Sequence, residues 1–241
     1  MKLFTKGISN TKTRKSENSD AGYSTLILHL APAKESGFEM CASRSAGCTA
    51  ACLYTAGRGR MQPIKNARIK RTLMWVKQRE EFKKQIKKEL TSFLRQCEKN
   101  QTLPAVRMNG TSDIIWEKTW PELFTDFDSI QFYDYTKHKK RCLKGYVLPN
   151  NYHLTFSRSE SNDDDVLEIL RNGKINVAVV FGSRNFPKKW RPNKRFLRKS
   201  YPTYSADDHD LRFLDPNGGH IGCLYSKGKA KKDESGFVIY T

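Results

Sequence analysis

The sequence predicts an α/β fold, a partial (β/α) barrel or an open, mostly parallel sheet with basic extensions. Three observations predict it. Short runs of β-branched, aromatic and aliphatic residues alternate with helix-periodic segments. One run, Ile175 to Phe181 (INVAVVF), is apolar throughout, as expected of a strand covered on both faces. Polar residues gather directly after these runs, where parallel α/β folds collect their chemistry. The strand-like units are too few to require a closed barrel, and no internal repeat is visible.

The elements follow in order. Met1 to Asp20 is polar and basic, with five Lys/Arg between Lys2 and Lys15, and reads as a flexible arm. Tyr23 to Leu30 (YSTLILHL) reads as a strand closed by Pro32. A cysteine loop follows and ends in Gly57-Arg58-Gly59-Arg60, after which Pro63 suits the first turn of a helix. Apolar residues at Ile69, Leu73 and Val76, then Phe82, Ile86, Leu90, Phe93 and Cys97, give a helical period from Ile64 to Lys99. The step from Val76 to Phe82 breaks that period and predicts two helices or a kink. Ala105 to Met108, Ile130 to Tyr135 and His153 to Phe156 are short strands. Asp163 to Asn172 is a helix with acids in its first turn and Gly173 beyond its end. One α/β domain over residues 21–226 with a basic loop at 184–199, and a basic tail over 227–241, complete the organisation.

Charge restricts the partners. The chain of 241 residues holds 44 Lys+Arg against 25 Asp+Glu, a net +19. Such an excess attracts polyanions through counterion release, nucleic acid first among them. No apolar run approaches the ~20 residues of a membrane span, and no basic segment is clearly amphipathic, so no membrane partner is expected. Six cysteines with no apolar stretch of a secretory signal point to a reducing cytoplasm.

Residues Arg184 to Lys199 hold eight Lys/Arg and no acid, interleaved with Phe186, Trp190 and Phe196. Arg184, Lys188, Lys189, Arg191, Lys194 and Arg195 are candidates for phosphates, and Trp190 for stacking on an unpaired base. The competing reading is a basic insertion whose aromatics anchor it to the body. Asp207-Asp208-His209-Asp210 and Asp215 have the density of a divalent-metal site, but such clusters more often form turns. No P-loop, G-x-G-x-x-G or Ser-His-Asp order is present.

Three cysteines stand in one loop, Cys41, Cys48 and Cys52, spaced C-x6-C-x3-C among Gly, Ala, Ser and Thr. Soft thiolates suit zinc or an iron–sulfur cluster, and three ligands leave one position open for chemistry. A tightly packed turn of small residues is the structural alternative. The other strand ends carry Asn109-Gly110-Thr111-Ser112-Asp113, Asp134 to Lys137, and Ser157 to Glu160, which together predict a polar rim.

The order of cysteine loop, helix, Asn109 to Asp113, Phe132-Tyr133-Asp134-Tyr135-Thr136-Lys137, Leu148-Pro149-Asn150-Asn151 and Leu154-Thr155-Phe156-Ser157 resembles a group of tailed-phage proteins, which implies the host cytoplasm and a host protein as a further candidate partner. That group in turn resembles radical-SAM-like phage proteins with a cysteine-rich N-terminal loop and a partial α/β barrel. The resemblance implies that Cys41, Cys48 and Cys52 ligate a 4Fe–4S cluster whose open iron binds the amino and carboxylate groups of S-adenosylmethionine. Asn109, Gly110, Ser112, Tyr133 and Ser157 are then expected to line the cofactor, and Asp113, Asp134 and Lys137 to act in catalysis. The usual spacing in that superfamily is C-x3-C-x2-C, and both gaps are longer here. A zinc site, with a fourth ligand from Cys142, Cys223 or His29, or a barrel that has lost its cluster therefore remain alternatives.

Overall fold

The computed structural model of the chain describes residues 1–7, 22–192 and 199–240. The first apolar run becomes β2 (Tyr23–Leu28), and a short β1 (Phe4–Lys6) pairs antiparallel along it, Phe4 opposite Leu28. The cysteine loop contains α1 (Ala46–Ala50) and the tight turns Leu53–Thr55 and Gly57–Arg60, which lead into α2 (Gln62–Lys77). α3 (Arg79–Lys99) follows a break at Gln78, whose φ of −136 and ψ of 53 leave the helical region. The broken period therefore marks two helices. α3 buries Phe82, Ile86, Leu90, Phe93 and Cys97 along one stripe, so Cys97 is a core residue.

The rest of the chain runs through β3 (Leu103–Arg107), the short α4 (Trp116–Thr119) and α5 (Glu122–Asp126), β4 (Gln131–Thr136) and β5 (Tyr152–Ser157). α6 (Asp163–Asn172) ends at Gly173, whose φ of 67 is the left-handed cap expected of it. β6 (Val177–Phe181), β7 (Lys189–Trp190), β8 (Tyr201–Ser205), β9 (Ile221–Tyr225) and β10 (Val238–Ile239) complete a 10-stranded sheet.

From β2 to β6 every strand lies beside its predecessor and parallel to it. This is the winding of a barrel, but the sheet stays open, ending in the antiparallel β1 and β7. Winding in one direction puts the crossover helices on one face. There Leu26, Leu28, Val106, Phe132 and Leu154 pack on Trp75, Phe82, Ile86 and Leu90. No helix among the described residues is long and apolar enough to cross a membrane.

The opposite, inner face is polar and covered by the turn Arg212–Leu214. Leu211 and Phe213 pack on Ala105 and Tyr133. Arg107 pairs with Asp210 at 3.3 Å and Arg212 with Asp215 at 3.2 Å. Tyr133 OH donates to Asp210 at 3.3 Å and Tyr204 OH to Asp215 at 2.8 Å. Asp207 accepts from Tyr225 N and Lys227 Nζ, and Asp208 from Ser205. The acid cluster thus fastens the cover.

Both extensions differ from their reading as an arm and a tail. Leu3 and Phe4 are buried, and their backbone N–H groups donate to Glu89 at 2.8 and 3.0 Å. Residues 8–20 of the expected arm lie outside the described residues. At the other end Phe237 and Val238 are buried, and β10 runs parallel to β6 at Val180 and Phe181, just beyond its pairing with β5. These strands are too short to show a period in sequence.

Two half-buried imidazoles oppose stability in acid. Burial, then the charges of Arg68, Arg107 and Arg71, lower His29 to about 3, and burial with Arg212 lowers His153 to about 4. Both are neutral in the fold where the unfolded chain takes up protons, so stability falls as pH drops below about 6.5. Asp134, raised by burial to about 7, works oppositely, its contribution falling as pH rises from about 4 to about 7. Replacing His153 by Gln should flatten the acid side of the stability curve by up to about 1.4 kcal/mol per pH unit. Urea unfolding between about pH 4 and pH 7 measures it, and an unchanged slope would show that His153 is protonated in the fold.

Candidate functional site

The carboxyl ends of β3, β4 and β5 are tied together beneath the surface. Asp134 is fully buried. Its Oδ1 accepts Asn109 N at 2.6 Å, and its Oδ2 accepts Asn109 Nδ2 at 3.2 Å and Tyr152 OH at 2.7 Å. Asn109 Oδ1 in turn accepts from Ser112 Oγ, Ile114 N and Trp116 Nε1 at 2.9, 3.0 and 3.1 Å. Nearby, Arg141 makes a bidentate pair with Glu117 at 2.8 Å and donates to Tyr152 OH.

This knot corrects the expected rim. Asn109, Ser112 and Asp134 point into the protein, because Asp134 shares its strand face with Phe132 and packs toward the helices. Gly110 lies against the His29 ring, where a Cβ would come 2.5 Å from Nδ1, so glycine is required by close approach. Tyr133 is on the inner face, bonded to Asp210.

Asp113, His138 and Glu160 reach the cysteine loop by hydrogen bonds and Lys137 by its charge, with Ser157 behind Lys137. Asp113 N donates to Met40 O at 2.8 Å, and Asp113 Oδ2 accepts Lys137 N at 2.8 Å. Lys137 Nζ donates to Ser157 Oγ at 2.7 Å. His138 Nδ1 lies 2.9 Å from Ser43 Oγ, and its Nε2 is 3.9 Å from Asp113 Oδ2. Glu160 accepts Ser45 Oγ and Gly47 N, both at 2.8 Å. Gly47 has no room for a side chain, since its Cβ would lie 2.6 Å from Glu160 Oε2. Ser45 also accepts Cys48 N, starting α1. The sequence places Glu160 on the rim but carries no sign of its role as the loop's anchor.

The thiols are neighbours in one electrostatic environment. Burial pushes Cys41 up to about 12, helped by the charges of Cys52, Asp113 and Cys48, although a bond from Ala33 N opposes it. Burial also raises Cys52, with Cys48 adding and Arg68 and Lys137 opposing. Cys48 packs on Ala51, Ala230, Phe237 and Val238. Among the described residues no three His, Cys, Asp or Glu side chains are already grouped to hold a metal ion. Cys41 packs instead against the helix-side core cluster, so Cys41 and Cys48 face different apolar groups, although thiolates as a donor set suit a thiophilic metal. Cys142 and Cys223 lie elsewhere, in the apolar cluster of Phe156, Val177 and Val179. His29 is enclosed beneath Gly110.

Donors and acceptors remain unspent around the loop. The Arg68 guanidinium is 6% exposed, donates to Gly59 O at 3.3 Å and has no carboxylate at ion-pair distance among the described residues. Among the described residues Lys137 Nζ is bonded to Ser157 Oγ alone, and it lies 5.7 Å from the Phe237 ring. Glu35 Oε2 and Asp113 Oδ1 are buried with no hydrogen-bond partner among the described residues, Arg141 Nη1 being 3.7 Å from the latter.

In the basic segment Arg184, Lys188, Lys189 and Arg191 are exposed. Trp190 stands edge-on to Phe181 at 6.3 Å, and Phe186 packs on the same ring at 5.8 Å. Phe186 and Trp190 therefore anchor the segment to β6, and Lys189–Trp190 pair with Tyr201 and Pro202. Lys194 and Arg195 lie outside the described residues.

The sequence matches the model of one protein family, gene product 88, over residues 2–241. The chain belongs to the gene product 88 family. This is a family of phage gene products, which bears out the phage part of the sequence resemblance. No curated protein and no solved structure matches the chain.

The role of Glu160 is testable. Glu160→Ala should remove two charge-assisted bonds and destabilise the fold by about 1.5–3 kcal/mol. Cys48 and Cys52 should then react several-fold faster with Ellman's reagent, with Glu160→Gln intermediate. Labelling rates equal to those of the unaltered protein would show that the loop is held by something else.

Proposed function

We propose that this gene product 88 protein is a phage enzyme whose Cys41, Cys48 and Cys52 hold an iron–sulfur cluster, acting on or near nucleic acid in the host cytoplasm. The observation that carries the reading is the position of the thiol loop. It is clamped over the carboxyl ends of a sequentially wound parallel sheet, where Asp113, Lys137 and Ser157 share its rim. A three-thiolate 4Fe–4S cluster supplies an open iron that takes the amino and carboxylate groups of S-adenosylmethionine, as the radical-SAM resemblance implies.

The chain's own groups suit such a ligand. Asp113 Oδ1 and Glu35 Oε2 are acceptors for an ammonium or hydroxyl. Lys137 and Arg68 are cations for a carboxylate or phosphate, and both already act on Cys52. Ser157 orients Lys137. Asp134 serves at one remove, holding Asn109 and with it the turn that carries Asp113.

A second reading, a nucleic-acid-binding phage factor with structural or zinc-bound cysteines, is favoured by the net +19 and by the ungrouped thiols. Metal content separates the two. Protein purified without oxygen and supplied with iron and sulfide should turn brown, absorbing broadly near ~400 nm, and Cys48→Ala should abolish the colour. Colourless protein carrying stoichiometric zinc would replace the cluster by a zinc site. Protein that takes up neither metal would reject a metal role for the loop.

A further inference from the structure

Two basic segments far apart in the sequence meet beside the thiol loop. One is the turn Gly57–Arg60 (GRGR), shortly after Cys52. The other is the turn Gly228–Lys232 (GKAKK). Lys229 N donates to Thr55 Oγ1 at 3.2 Å. Gly228, at a φ of +59, lies so close that a Cβ would come 2.8 Å from Thr55 Oγ1 and 2.9 Å from Ala56 N. Ala230, between Lys229 and Lys231, shares an apolar cluster with Cys48 and Ala51.

This junction gathers Arg58, Arg60, Lys229, Lys231 and Lys232, all exposed, at the edge of the cysteine loop. Among the described residues none of the five has a carboxylate at ion-pair distance. Asp233, next in sequence, is turned back to Ser235 Oγ and Val238 N. Lys231 and Arg184 both stand over the Tyr225 ring, at 5.6 and 5.0 Å, which carries the charge round to the start of the 184–199 loop. On the other flank Lys65 stands over Tyr54 at 5.6 Å.

We infer that this joined surface binds single-stranded nucleic acid, the phosphates lying along the GRGR and GKAKK turns and the strand crossing the thiol loop. Unpaired cations held at a fixed spacing match a polyanion, and phosphate contacts release its counterions. The choice of a single strand rests on the proposed function, because a base held in a duplex cannot be lowered into a cleft. The phosphate surface itself does not depend on a cluster.

Fluorescence anisotropy with a labelled single-stranded DNA oligonucleotide tests it, starting at about 50 mM salt, where phosphate binding is strong, and raising the salt to about 200 mM. R58E/R60E and K229E/K231E/K232E should each weaken binding about tenfold or more. Each should also make the salt dependence shallower, by about 0.7 in log–log slope for every phosphate of the single strand no longer neutralised. K84E/K88E/R95E, the same change of charge as the triple variant but on α3 of the helix-covered face, should weaken binding much less. Circular dichroism and melting confirm that each variant folds. The inference is overturned if the α3 variant loses as much affinity, if only K188E/K189E/R191E matters, or if no binding is detected. Iron uptake by the same variants should match the unaltered protein, so failure of this surface and failure of the thiol site read out separately.

Discussion

The carboxyl edge of the sheet hangs from the buried carboxylate of Asp134. Three hydrogen bonds converge on it, two from Asn109 and one from Tyr152, while Arg107 and Arg141 contribute only through their charge. Burial outweighs these favourable contacts and raises its pKa to about 7. A group this costly persists because its neighbours need it. Without an acceptor at this position the Asn109 backbone N–H and the Tyr152 hydroxyl proton would be buried without a partner, a larger penalty than the bonds contribute when made. Asn109 then fixes the turn to Trp116, and the turn delivers Asp113 to both Met40 and Lys137. The cysteine loop is thus positioned by a carboxylate that never reaches it.

The helices are the most legible part of the chain. The break between α2 and α3 is written in the step from Val76 to Phe82, and the bounds of α6 in its leading aspartates and Gly173. The rim is half legible, and its errors have one cause. The polar residues after an apolar run look like one group in sequence, although side chains on a strand alternate faces. Asp134 has the parity of Phe132 and Thr136, whereas Tyr133, Tyr135 and Lys137 share the other. Parity alone separates Asp134 from Lys137. No local signal shows the cover of the inner face, because Asp210 finds its partner Arg107 across 103 positions. Nor can two-residue strands such as β7 and β10 declare themselves, since their pairing is decided entirely by distant chain.

The two faces of the sheet are held by different forces, and that difference shapes the site. On the helix side apolar burial dominates, and it tolerates small shifts in position. On the inner side the cover has little apolar area, chiefly Leu211 and Phe213, and two ion pairs enclosed with it. Buried pairs are weak sources of net stability but demanding of geometry, since separating either partner leaves an uncompensated charge. Arg107–Asp210 and Arg212–Asp215 therefore fix where the cover sits more than how strongly it holds. Tyr133 and Thr155 are closed off beneath it. Lys137 and Ser157 continue the same inner-facing columns past the cover, to the level of the cysteine loop. Lys137, carried past the cover in this way, is one of the two cations whose charge acts on Cys52, so the inner face and the thiol loop are coupled at the carboxyl edge.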